Sequence, residues 1–222
     1  MNSVTPEFPK PTENKRTRGR PACTASVGAD VLLRSARQTF AKQGFAASSV
    51  REIARNAGVD PALISHHFGS KDELWVAVVE QIARHAAPVI EATSHLRSSD
   101  LGARERVEQA MRFFIDLVFD EPDVGMFFST AATEEGERLN TLIERLVRPY
   151  HDVIVPLLID AVKAKELNRN DPEVMFSMLM NAVSTTVSYS HVLQAFSSLP
   201  DRRSDFKRAV LGTTLSMLGY RP

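Results

Sequence analysis

Apolar residues recur at helical spacing along most of the chain, and beyond Ala86 no stretch alternates apolar and polar residues as a half-buried strand does. From Asp30, Leu33, Ala36 and Phe40 share one face, and the pattern stops at Gly44, which suits a left-handed helix end. Further helices are predicted at about 104–119, 123–133, 139–166, 173–197 and 202–219. The sequence therefore predicts an all-α architecture.

Three helix starts follow one another in a short segment near the N-terminus. Positions 49–52 and 70–73 have the Ser-x-x-Glu spacing of a capping box. Between them, Asp60 can cap a helix that has Pro61 at its first position, where a missing N–H costs nothing. The signals predict a second, third and fourth helix at about 49–58, 61–67 and 70–85.

Two short helices joined by a turn at Gly58 are typical of a helix-turn-helix, whose second helix enters the DNA major groove by its N-terminal end. On a helical wheel, one half of the third helix is predicted to be free, and it comprises Pro61, Ala62, Ser65 and His66. The other half is predicted to pack inward, and it comprises Leu63, Ile64, His67 and Phe68.

Charge is divided unevenly along a chain whose net charge is zero. Residues 1–71 hold 11 lysines and arginines against 5 acidic residues, whereas residues 72–222 hold 16 against 22. The first third therefore suits an anionic partner. Residues 1–26 are predicted to be a disordered basic arm, in which Arg18-Gly19-Arg20-Pro21 resembles an AT-hook core that inserts arginines into an A·T-rich minor groove. The alternative is a solvated tail without a DNA role.

A family resemblance joins these features. Ser48-Ser49, Ile53-Ala54, Ala57-Gly58-Val59, His67-Phe68, Lys71 and Leu74 together resemble the N-terminal domain of TetR-family transcriptional regulators, over about residues 28–85. The resemblance implies an Ω-shaped homodimer that sets three N-terminal helices on DNA, and a larger C-terminal domain that binds a small molecule and thereby relieves repression. The chain departs from the family pattern at Ser65, where an aromatic residue is usual, and at Pro61, where lysine or arginine is frequent.

The expected fold is thus an N-terminal three-helix helix-turn-helix DNA-binding domain followed by a larger helical ligand-binding and dimerisation domain. The boundaries are a basic arm at 1–26, the DNA-binding domain at 27–72 with its fourth helix linking to about 86, and the second domain at 87–222. Helix N-termini and basic side chains would position phosphates, while the third helix would read bases. The candidate DNA-contacting residues are Arg18, Arg20, Ser49, Arg51, Pro61, Ala62, Ser65, His66, His67 and Lys71.

The C-terminal part offers an aromatic and methionine-rich set that suits either a plain core or an adaptable apolar pocket. The candidate pocket residues are Met111, Phe114, Val118, Phe127, Phe128, Tyr150 and Met178. In the family the last two long helices form the dimer bundle, so the candidate interface residues are Tyr189, Phe206, Val210 and Leu218.

The function predicted is that of a cytoplasmic, nucleoid-associated homodimeric repressor. Its expected partners are a palindromic double-stranded operator with A·T-rich flanks and an apolar or aromatic effector. The alternative is an architectural or cell-cycle DNA-binding protein without an effector. An enzyme is disfavoured because no nucleophile–base pair stands out. No metal or cofactor is expected, since no ligand stands at zinc spacing from His66-His67. The single cysteine, Cys23, cannot form an internal disulfide, which fits a reducing cytoplasm. No membrane partner is expected, since no apolar run reaches about 20 residues.

Overall fold

The computed structural model describes residues 23–168 and 170–219, and within these ranges it contains helices, turns and loops but no strand. The helices are α1 (Cys23–Ala47), α2 (Val50–Ala57), α3 (Pro61–Phe68), α4 (Lys71–Leu96), α5 (Ala103–Asp120), α6 (Pro122–Ala131), α7 (Gly136–Leu142), α8 (Arg148–Lys163), α9 (Pro172–Ser188), α10 (Ser190–Gln194) and α11 (Arg203–Met217). A π-helical turn, Ile143–Val147, joins α7 to α8, and a 3-10 turn, Leu199–Asp201, precedes α11. The all-α prediction is confirmed.

The N-terminal core is built from α1 to α4 and is completed by two later helices. Its buried side chains include Phe40, Ile53, Ile64 and Trp75, and the indole of Trp75 lies 6.0 Å from the ring of Phe127 on α6. Leu142 of α7 is buried in the same cluster. The DNA-binding helices predicted from the sequence therefore pack directly against part of the C-terminal chain.

A second core lies between α5, α8, α9 and α11. Its members include Met111, Ile115, Leu158, Leu179 and Phe206, all of which are almost completely shielded from solvent. The two cores meet along α4 and α6, each of which contributes to the walls of one cavity described below.

The fourth helix is longer than predicted, and its predicted end near His85 is wrong. It continues to Leu96 although Pro88 lies inside it and cannot donate a backbone hydrogen bond. Ala86, Thr93 and Leu96 are buried along this extension, so tertiary packing outweighs the local cost of the proline.

Two of the predicted long helices are interrupted. The segment predicted as one helix at 139–166 comprises α7, the π turn and α8, and the segment predicted at 173–197 breaks at Tyr189 between α9 and α10. The break at Tyr189 falls at neither a glycine nor a proline, the residues that usually mark a helix end in a sequence, whereas the π turn is followed directly by α8 with Pro149 in its first turn. In the first helix, by contrast, Gly44 leaves the helical conformation as predicted, with φ 77° and ψ 172°, although α1 begins earlier than predicted, at Cys23.

Candidate nucleic-acid interface and effector cavity

The starts of α2 and α3 are fixed by local hydrogen bonds that the sequence predicts. Ser49 Oγ accepts from the backbone N–H of Glu52, and Asp60 Oδ1 accepts from that of Ala62 at 2.8 Å. Gly58 adopts the left-handed conformation, with φ 69° and ψ 31°, which a side chain would disfavour. The result is a tight connection that presents the N-terminus of α3 outward.

The third helix exposes a continuous polar and small-residue face. Ile64 is its one fully buried residue, while Leu63 and Phe68 are half-buried. The exposed residues are Pro61, Ala62, Ser65, His66 and His67. The wheel assigned His67 to the packing half and is wrong there, because its ring lies outside the core and contacts those of His66 and Phe68 at 5.5 and 6.0 Å between centroids.

The fourth helix begins with a complete capping box. Ser70 Oγ accepts from the N–H of Glu73, and the Glu73 carboxylate accepts from the N–H of Ser70 at 2.8 Å. The Ser70 hydrogen bonds hold the pKa of the Glu73 carboxyl below its usual range. At Ser49 only half of the box forms, because the Glu52 carboxylate accepts from the Gln43 side chain instead.

Lys71 has internal partners that the sequence did not indicate. Its Nζ donates to the carbonyl oxygens of Phe45 at 2.7 Å and Ser48 at 2.9 Å, and it lies 4.2 Å from the centroid of the Phe45 ring. The Arg138 guanidinium lies 4.0 Å from that ring centroid. Lys71 therefore ties the start of α4 to the end of α1. Arg51 is exposed on α2, whereas Arg18 and Arg20 lie outside the described residues.

A cavity of about 250 Å³ lies between α4, α5, α6, α8 and α9. Four of the predicted pocket residues line it, namely Phe114, Val118, Phe128 and Tyr150. The other three lie elsewhere: Met111 and Phe127 are buried in the two cores, and Met178 is exposed on α9. Ile82, Leu146, Phe176 and Met180 also line the cavity, so its walls are mainly apolar.

Few polar groups face the cavity, and two of them differ sharply in their bonding. The Tyr150 hydroxyl is buried and has no hydrogen-bond partner, and burial raises the pKa of this phenol. Glu121 is bonded at both oxygens: Oε1 lies 2.9 Å from His85 Nδ1, and Oε2 accepts from the Arg37 guanidinium.

Arg37 connects the cavity to the N-terminal helices. This α1 side chain is only 7% exposed, and besides Glu121 it binds Asp123, with Nε 3.0 Å from Oδ2. A second link joins the same helices, since Thr130 Oγ1 of α6 donates to the carbonyl of Ala41 at 2.8 Å. This network could not be predicted from the sequence because its partners lie more than 80 positions apart.

Close approach of α6 to α9 depends on Gly125. A Cβ atom there would lie 2.3 Å from Ser188 Oγ and 3.0 Å from the Ser184 carbonyl oxygen. The Ser188 hydroxyl also donates to the carbonyl of Pro122 at the start of α6. Helix α6, which is bonded to α1, therefore also packs closely against α9, which forms another wall of the cavity.

The predicted dimer-interface residues are enclosed within the single chain. Phe206, Val210 and Leu218 belong to the C-terminal core, and Tyr189 is half-buried. The exposed large apolar residues of the last helices are Val174, Met178, Val192, Phe196 and Met217. Of the predicted interface residues, Phe206, Val210 and Leu218 therefore lie on the core side of α11 and its end.

Within residues 23–168 and 170–219, none of the helices combines the length and the apolar character that a membrane span requires. No group of three or more His, Cys, Asp or Glu side chains in these ranges is arranged to hold a metal ion.

Two short capped helices joined at Gly58, with the exposed face of the second aimed outward, define a helix-turn-helix DNA-binding protein. Comparison with known proteins agrees: the profile of bacterial regulatory proteins of the tetR family matches residues 32–78. The transcriptional repressor NicS of Pseudomonas putida strain KT2440 is 26% identical over 199 residues, covering 86% of this chain and 92% of that protein.

Solved structures show the same fold over nearly the whole chain. A TetR-family regulator from Rhodococcus RHA1 superposes with a TM-score of 0.68 and 17% identity, covering 88% of this chain and 98% of that one. The hemolysin II transcriptional regulator HlyIIR superposes with a TM-score of 0.65 and 15% identity, covering 89% of this chain and 99% of that one. The N-terminal part of the chain thus matches the tetR-family profile, and the fold as a whole is that of these regulators of known structure.

Proposed function

We propose that the protein is a homodimeric repressor whose two α3 helices read a palindromic operator in the DNA major groove, and that a small apolar effector in the cavity releases it. The observation that carries the proposal is the outer face of α3, which is exposed on a helix that capped helix N-termini precede and follow in the chain, at Ser49 and Ser70. Helix N-termini bind phosphate oxygens, so this order of elements suits a recognition helix accompanied by contacts to the DNA backbone.

Base reading by α3 rests on few groups. Ala62 offers a methyl group for thymine, and Ser65 and His66 offer single hydrogen bonds. No Arg, Asn or Gln is present for a bidentate base contact, so direct readout is modest. The basic arm compensates in this proposal, with Arg18 and Arg20 in an A·T-rich minor groove beside each half-site.

Phosphate contacts are assigned to the exposed Arg51 and to the N–H groups near Ser49 and Ser70. Lys71 has a structural role beside the predicted phosphate contact, because two of its three N–H donors bond to the carbonyls of Phe45 and Ser48. Its remaining N–H group is available to a phosphate. Lys71→Ala is therefore expected to lower stability as well as DNA affinity for every sequence.

Dimerisation is assigned to the outer face of α9 and α11. Val174 and Met178 are one helical turn apart, are more than half exposed, and continue toward Thr185 on the same face of α9. Met217 extends an apolar surface on α11. A two-fold dimer through this face would present two copies of α3 to half-sites about 34–36 Å apart.

Release is assigned to α6. This helix forms one wall of the cavity and is joined to α1 through Asp123 and Thr130, and Glu121 just before it is bonded to Arg37. An effector that favours a displaced α6 would therefore also favour a different position of α1 and a different spacing of the two readers. A preference of about 3 kcal/mol between the two states changes their ratio more than a hundredfold.

The test is selection of bound duplexes from a random DNA pool, using full-length protein at physiological salt. The proposal expects a palindrome with A·T-rich flanks, and loss of the flank preference together with a shallower salt dependence when residues 1–21 are deleted. Recovery without sequence enrichment would instead support an architectural DNA-binding role.

A further inference from the structure

The cavity contains one unsatisfied hydrogen-bonding group in apolar surroundings. The Tyr150 hydroxyl is the only buried side-chain polar atom without a partner among the described residues. Its ring packs against that of Phe114 in a T-shaped arrangement, with centroids 5.5 Å apart, and this packing sets the position of the hydroxyl oxygen. A buried donor without an acceptor is destabilising, and a bound molecule that supplies the acceptor removes that cost.

The charge around the cavity opposes ionised ligands of both signs. No lysine or arginine lines it, and the one histidine that does, His85, already has its Nδ1 2.9 Å from Glu121 Oε1, so an anion would find no free cationic partner there. Both oxygens of that carboxylate are already bonded, to His85 and to Arg37, so a cation would find no free carboxylate there. An ionised group would lose its hydration on entering these walls without gaining a matched partner.

The other polar side chains at the wall are less suited to orient a ligand. The Asn181 amide donates to the carbonyl of Ser177 within α9, at 2.8 Å, and Asn181 is exposed. Ser184 lies where α9 approaches Gly125 closely. The Tyr150 hydroxyl is thus the buried group that selects among apolar molecules.

We propose that the effector is an uncharged, mainly apolar molecule with one hydrogen-bond acceptor, such as an aryl ketone, that accepts a hydrogen bond from Tyr150. This inference rests on the proposed function for its regulatory meaning, although the ligand class follows from the cavity itself. Because burial raises the pKa of Tyr150, the phenol stays protonated and acts as a donor across the neutral pH range.

The experiment uses DNA-free full-length protein with N-phenyl-1-naphthylamine as a fluorescent cavity probe. Displacement is measured with two matched series. Each series consists of a hydrocarbon, a ketone, a carboxylate and an amine, in that order. The first is diphenylmethane, benzophenone, diphenylacetate and aminodiphenylmethane, and the second is ethylbenzene, acetophenone, 2-phenylpropanoate and 1-phenylethylamine. In at least one series the ketone is expected to displace the probe at about a tenfold lower concentration than the hydrocarbon, with both ionised compounds weaker still.

Tyr150→Phe is the matched variant, since it removes only the hydroxyl. It is expected to bring the ketone and the hydrocarbon to within about twofold of each other, and to leave Tm unchanged or raised because an unpaired polar atom is lost. The inference is overturned if an ionised compound binds best, if none of the eight displaces the probe, if the variant retains the ketone preference, or if the variant lowers Tm.

The same samples separate this inference from the proposed function. Failure of all eight compounds while the protein still selects a specific duplex would overturn the ligand class and leave DNA reading intact. Tight ketone binding that leaves DNA affinity unchanged would support the ligand class but contradict effector-controlled release.

Discussion

The N-terminal helices and the C-terminal helices begin in different ways. In the first group, Ser49, Asp60 and Ser70 each accept a backbone N–H with the side chain, so α2, α3 and α4 have local start signals. In the second group, Asp171 does the same for α9, but α5, α6, α7, α8 and α11 lack a capping hydrogen bond from an N-cap side chain. The reading helices are specified locally, whereas the cavity walls are specified by packing.

Glu121 is an example of a residue at a helix start that is held by contacts with other helices. It occupies the N-cap position of α6, yet its carboxylate binds Arg37 and His85 and does not cap the helix. The start of α6 is therefore held by α1 and α4. A helix whose start depends on other elements can respond to their movement, and this is the property that coupling between two sites requires.

The largest expected effect comes from breaking the contact between the two regions. Arg37→Met removes the partner of two carboxylates that are about a quarter exposed, and it should lower the free energy of unfolding by about 3 kcal/mol. Denaturant unfolding measures this, with Arg34→Met as the control because Arg34 is exposed on the same helix. Equal losses in the two variants would contradict a stabilising role for the network.

Packing between α6 and α9 is the next test. Gly125→Ala places a Cβ against Ser188 Oγ and a rigid backbone carbonyl, and it should cost about 1–3 kcal/mol of stability. Gly28→Ala, in α1, has open space at the same position and should be neutral or slightly stabilising. A Gly125→Ala protein that melts at the wild-type temperature would show that α6 shifts without cost.

Local capping predicts a smaller loss in the reading region. Ser70→Ala should cost about 1 kcal/mol, measured from the denaturation midpoint at neutral pH. The hydrogen bond from Ser70 lowers the pKa of Glu73 in the folded protein, so the ionised carboxylate stabilises the fold at any pH above 4.5, the pKa of the unfolded chain. That contribution is lost as the pH falls through the folded-state pKa. The difference between variant and wild type should therefore narrow in acid; a constant difference would mean that the Glu73 half of the box is inactive.

The smallest expected effect is an increase in stability in the C-terminal helices. Gly102→Ser would add the missing side-chain cap to α5, where Glu105 already accepts from the Gly102 N–H at 2.9 Å. Completing the box should raise stability by about a few tenths of a kcal/mol, detectable as a small increase in Tm. A decrease would indicate that the start of α5 is constrained by packing that the serine disturbs.

The sequence predicted those features whose causes lie within a few residues. The caps at Asp60 and Ser70 and the turn at Gly58 could be predicted because the interacting groups are neighbours in the chain. The passage of α4 through Pro88 and the break at Tyr189 could not, since distant packing decides both.

The same division applies to the candidate sites. The exposed face of α3 could be predicted from the sequence, except for His67, because an eight-residue helix has only one buried side. Three of the four dimer candidates, Phe206, Val210 and Leu218, are buried in the core of the single chain, because α9 and α11 carry apolar residues in the core as well as on their outer faces, where Met178 and Met217 lie. The Arg37–Glu121 contact has no local signal at all.

The central claim, that the outer face of α3 meets DNA, is tested most directly by affinity for the selected duplex. Ala62→Asp adds a charge to an exposed position on that face, and Ala87→Asp makes the same change on the exposed side of α4. We expect Ala62→Asp to weaken binding at least about a hundredfold with Tm unchanged, because the carboxylate would face phosphates and base acceptors, while Ala87→Asp binds within about twofold of wild type. Wild-type affinity in Ala62→Asp would contradict the account.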